Sequence, residues 1–81
     1  MSALVVAFPA RRRVGFIRRH AWRMCALSER AAGRYLKHQL RIQAETLARK
    51  GIGAGTVAQE IEQLEAAIRH ELSRMSALGV A

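Results

Sequence analysis

Residues 51–75 read GIGAGTVAQEIEQLEAAIRHELSRM, and this stretch decides the fold. Val57, Ile61, Leu64, Ile68, Leu72 and Met75 recur at spacings of three and four, the interval at which side chains share one face of an α-helix. Thr56 with Gln59 three residues later reads as a capping box, so the spacing predicts a helix over about 57–76. Glu65 stands four residues before Arg69, the favourable order for an ion pair on a helix surface.

Upstream, Gly51 is placed as the residue that ends an earlier helix, and Arg49 and Lys50 fall in its last turn, where cations suit the helix dipole. That earlier helix is expected over 29–50. Ser28 would accept an orphan backbone N–H at its start, and Glu29 would face the positive end of the dipole. Its apolar stripe is Ala32, Leu36, Leu40, Ala44 and Leu47; Arg30, Arg34, Lys37 and Arg41 form a basic ridge on the opposite side. A short glycine-rich link between two helices of similar length implies an antiparallel hairpin.

Further out, a first helix is expected over 10–27, with Val14, Ile17, Ala21, Met24 and Cys25 on one face. Trp22 and arginines occupy the other, and Gly15 weakens the first turn. This helix caps the open side of the hairpin or belongs to a dimer. Residues 1–9 form an extended arm, because Ala3 to Phe8 is a β-prone run and Pro9 biases Phe8 towards extended geometry. A tail occupies 79–81. The expected fold is therefore all-α, with one helical domain over 10–78.

At 81 residues the chain is limited to one domain with a modest core. The net charge of +8 is unevenly placed. Residues 1–27 carry six Arg and no acid (+6), residues 28–50 six Lys or Arg against two Glu (+4), and residues 51–81 two Arg against four Glu (−2). Such a gradient fits a polyanionic partner: nucleic acid, an anionic membrane surface or an acidic protein. It also allows the basic helices to dock on the acidic end of the same chain. A single cysteine, Cys25, fits a reducing compartment, and the expected location is cytoplasmic. The apolar opening is too short for a secretory signal, and no run approaches the length that crosses a bilayer.

Enzyme chemistry finds no support in the residue pattern. His20, His38 and His70 lie on different helices without metal-ligand spacing, and the expectation for all three is a solvated surface position. Cys25 reads as a small hydrophobe on an apolar face. The glycines at 51–55 lack the Lys and Ser or Thr that a phosphate-cradling loop requires after its last glycine. Glu60, Glu62, Glu65 and Glu71 lie along a regular helix. No catalytic residue, cofactor or metal is expected.

The least neutral feature is the arginine cluster around Trp22. Arg11, Arg12, Arg13, Arg18, Arg19 and Arg23, supported by Arg34, Lys37 and Arg41, suit nucleic-acid phosphates, and Trp22 suits a base or an interface. A helix-turn-helix with Leu27 to Glu29 as its turn would make the second helix the reader of DNA, but the match is weak, since many α-hairpins show the same boundary and 22 residues is long for such a reader. The alternative is a protein adaptor or homo-oligomer that uses Val57, Ile61, Leu64, Ile68 and Leu72 as its interface. A membrane surface is the weakest of the three.

The opening Val-Val-Ala-Phe-Pro-Ala-Arg-Arg-Arg, the Phe16-Ile17-Arg18-Arg19 that follows, and His38-Gln39-Leu40-Arg41-Ile42-Gln43-Ala44 together resemble a family of short alphaproteobacterial proteins of unknown function. These share an apolar-Phe-Pro start, an Arg cluster and a closing helical hairpin that ends near Glu71-Leu72. The resemblance covers most of the chain. It implies a bacterial cytoplasmic setting and no particular activity.

Overall fold

A computed structural model describes residues 13–79 as three α-helices, with no strand among them. They are α1 (Val14–Cys25), α2 (Glu29–Arg49) and α3 (Ala54–Ala77). The expected extended arm, Arg11 and Arg12, the start of the first helix at 10–12 and the last two residues lie outside the described residues.

Local chemistry accounts for the ends of α2. Ser28 is its N-cap, and its Oγ accepts a hydrogen bond from the Ala31 N–H at 3.2 Å. At the other end Gly51 takes φ +86°, a left-handed conformation that L side chains rarely adopt. The Gly51 N–H donates to the Ala48 carbonyl (3.0 Å) and the Ile52 N–H to the Leu47 carbonyl (3.2 Å), which is the Schellman pattern. In α3 the expected start is corrected. The helix begins at Ala54, because the Gly53 carbonyl accepts from the Val57 N–H at 2.9 Å and draws the preceding turn into the helix. The N-cap is Gly53, without a side-chain bond, and Thr56 lies inside the first turn.

The two links fold the chain back on itself twice. Arg13 Nη1 donates to Gln43 Oε1 at 2.9 Å, and His20 Nδ1 hydrogen-bonds the Tyr35 hydroxyl. Arg13 and Gln43 each stand 15 residues from Ser28. Helices meeting at a right angle there would hold those backbones roughly 30 Å apart at 1.5 Å per residue, so α1 runs antiparallel along α2. That folded-back pair differs from a helix-turn-helix, whose two helices cross near a right angle. About the second link, Leu40 and Leu64 each stand 12 residues from Ile52, and Leu36 and Ile68 each stand 16; all four share one core. That symmetry is the antiparallel hairpin read from the sequence.

The core consists of Ile17, Ala21 and Met24 from α1, Ala32, Leu36 and Leu40 from α2, and Leu64, Ile68 and Met75 from α3. α1 packs on both partners, more extensively on α3 than on α2. Val14, expected on the buried face, is exposed at the entry of α1. His20 corrects the surface expectation for the histidines: it is 8 % exposed and packs tilted against Phe16 at 4.2 Å between ring centres, whereas His38 and His70 are exposed. Cys25 is half-buried against the core as a small hydrophobe.

α1, with 12 residues, is about 18 Å long, whereas α2 and α3, with 21 and 24, reach about 31 and 36 Å. The bundle therefore has a three-helix end and a two-helix end. No residue between 41 and 63 is fully buried, and Ala44, Leu47, Ile52, Val57 and Ile61 stay half-covered.

Candidate polyanion-binding groove

The outer face of α1 presents Arg18, Arg19, Trp22 and Arg23, all exposed. Burial of Ile17, Ala21 and Met24 orients them: once those three face the core, residues at 18, 19, 22 and 23 must face away. Trp22 is 62 % exposed.

α3 forms a second wall beside it. Glu71, Arg74, Met75 and Leu78 line a groove of about 630 Å³ together with Arg18, Arg19, Trp22 and Arg23. Trp22, Met75 and Leu78 make its lining largely apolar, and four arginines line it beside them. Leu78 is 65 % exposed there.

Glu71 is the one acid of the groove. Its carboxylate accepts two hydrogen bonds from Arg74 (2.7 and 3.2 Å) and pairs with Arg18 at 3.9 Å, bridging α3 to α1. The Arg74 hydrogen bonds hold the Glu71 carboxyl below the usual carboxylate range; burial opposes them, and the charges of Arg74, Arg18 and His70 add to them. Four cations against one anion leave the groove at +3. The C-terminal dipoles of α1 and α3 both end nearby and contribute about half a negative charge each, too little to reverse that sign.

His20 reports the same field from below. Burial first, then the charges of Arg19, Arg23 and Arg13, lower its pKa from 6.5 and keep the ring neutral.

Of the other expected nucleic-acid contacts, Arg13 is half-buried, bonded to Gln43, with its guanidinium carbon 4.2 Å from the Phe16 ring centre. It braces α1 against α2. Arg34, Lys37 and Arg41 are exposed along the outer side of α2 and do not line the groove. Among the expected interface residues, Leu64 and Ile68 are 2 % and 0 % exposed, used inside the chain where three helices meet. Val57, Ile61 and Leu72 are half-covered.

Arg74, Met75 and Leu78 were not legible as site residues, because only the docking of α1 on the far half of α3 brings them beside Trp22. Burial of His20 did carry a signal. At 100° per residue it falls 60° from Ile17, inside the face that also holds Ala21 and Met24.

Among the described residues no helix is long and apolar enough to cross a membrane, and no three acidic, His or Cys side chains are placed to hold a metal ion. Comparison with known families gives a match over residues 1–81 to DUF6074, a family of unknown function. The chain belongs to DUF6074. No curated protein and no solved structure matches it. The DUF6074 match spans both walls of the groove and assigns no activity to either.

Proposed function

We propose that this DUF6074 member is a small, non-enzymatic, cytoplasmic accessory protein that binds nucleic acid through the arginines around Trp22. One observation carries the reading: four arginines line a groove that contains a single acidic residue. Arginine forks match phosphate oxygens, and neutralising phosphates releases condensed counterions. Arg34, Lys37 and Arg41 are exposed as a separate basic ridge along α2 and add to the positive charge of the chain.

The test is a salt series. A fluorescein-labelled oligonucleotide should bind at low ionic strength and lose affinity steeply as salt rises. Arg19→Ala and Arg23→Ala should each flatten the plot of log affinity against log salt by about 0.7 to 0.9. Affinity that ignores salt, or absence of binding at low ionic strength, would overturn the reading.

The second reading, a protein partner or a second copy of the chain, is supported by the half-covered seam of Leu47, Ile52, Val57 and Ile61. Leu64→Glu and Ile68→Glu do not test it, since both would open the core. Val57→Glu does, with self-association measured by sedimentation.

A further inference from the structure

We infer that the groove between α1 and α3 takes an unpaired base of single-stranded nucleic acid, stacked on Trp22, with its flanking phosphates on the surrounding arginines. This rests on the nucleic-acid reading above and goes beyond it by naming the strand state and the stacking residue.

Two features point to a base and its phosphates. The floor of the groove is apolar, built from Trp22, Met75 and Leu78, while Arg18, Arg19, Arg23 and Arg74 supply its charge. A surface meant only for phosphates has no use for a 62 % exposed indole and a 65 % exposed leucine side by side. A flat, apolar, polarisable base covers that floor, and the phosphodiester on either side of it meets the guanidinium groups. The volume, about 630 Å³, lies within the range of sites for small organic groups and accommodates a nucleotide.

Duplex DNA fits less well. Its bases already stack on one another, so Trp22 would have to wedge a step open at a cost of a few kcal/mol. A single strand is free of that cost, because its bases swing out and every base has a face to stack.

Glu71 sets the terms of entry. Its carboxylate already occupies Arg74 and Arg18, so a phosphate arriving at those two groups must displace it or share them. Arg19 and Arg23 pair with no carboxylate among the described residues and are the first phosphate contacts.

The experiment uses the full chain and its only tryptophan as the reporter. The chain is titrated with oligo-dT, a duplex of equal length, an abasic single strand of equal length, and vesicles of phosphatidylglycerol. Oligo-dT should quench Trp22 emission and bind about 5- to 150-fold tighter than the abasic strand at the same salt, the range that one stacked base supports. Trp22→Ala should erase that difference, Trp22→Phe should keep part of it, and Leu78→Ala should reduce it. All three substitutions change exposed side chains, and circular dichroism checks that the helices persist. Glu71→Gln should raise affinity for both single strands. Equal binding of oligo-dT and the abasic strand without quenching overturns the stacking and leaves the phosphate reading standing. Tighter binding to duplex, or a blue-shifted emission on vesicles with no response to oligo-dT, overturns the inference in favour of those ligands. No binding to any nucleic acid at low salt removes both readings together.

Discussion

At Leu36 and Ile68 three helices meet, and the two side chains are 1 % and 0 % exposed. Eleven residues nearer the link on each helix stand Leu47 and Val57, side chains of the same kind on the same stripes, and both are only half-covered. The difference is α1, which is too short to reach them. An apolar stripe at helical spacing states which face turns inward; how deeply it is buried depends on whether a third surface lies over the seam. Packing contributions therefore concentrate where α1 lies, and the Gly51 end is held by its turn and by two helices alone.

The largest test of that contrast is a pair of truncations. Ile68→Ala removes a fully buried side chain from among three helices and should lower stability by about 3 to 4 kcal/mol, whereas Leu47→Ala should cost about 1 kcal/mol. Urea midpoints at constant slope measure both. Equal losses would show that the two ends are held alike.

A smaller effect probes the polar part of the three-helix end. Tyr35→Phe leaves His20 Nδ1 buried without its hydrogen-bond partner and should cost about 2 kcal/mol. The same ring gives the chain a pH dependence. Burial and the nearby Arg19, Arg23 and Arg13 lower the folded pKa of His20, so the unfolded chain takes up the proton first. Stability from this source is complete above about pH 6.5, falls as pH drops towards the lowered folded value, and levels off below it. Urea midpoints from pH 7.5 down to 5 should follow that course, and His20→Phe should flatten it.

The smallest expected effect sharpens the other end. Gly51→Ala meets no steric obstacle, since nothing lies within 4 Å of an added Cβ, but it forces an L side chain into φ +86°. The cost should be about 1 kcal/mol by thermal denaturation, close to that of Leu47→Ala. A much larger loss would mean that the turn, more than the seam, holds the two-helix end.

Much of this fold is legible in the sequence. Ser28 and Gly51 carry their roles in their own chemistry, a hydroxyl for an orphan N–H and a backbone free of Cβ, and both ends of α2 fall within a residue of expectation. The start of α3 was not legible, because Thr56 offers a plausible cap while the preceding Ala-Gly pair carries no mark of the main-chain bond from Val57 to Gly53 that extends the helix. The arginine and tryptophan wall of the groove was visible as one face of a helix. Its opposite wall was not, since no spacing within the chain records that α1 lies along residues 71–78 of α3.

The brevity of α1 has a last consequence. Twelve residues are too few to stay helical in water unaided, so leaving the bundle and losing its helix are one event for this segment. Its outer side chains then hold their mutual spacing only while the inner ones are docked. Whatever ligand grips Arg19, Trp22 and Arg23 thereby clamps the tertiary structure too, and saturating amounts of it should raise the melting temperature of the whole chain.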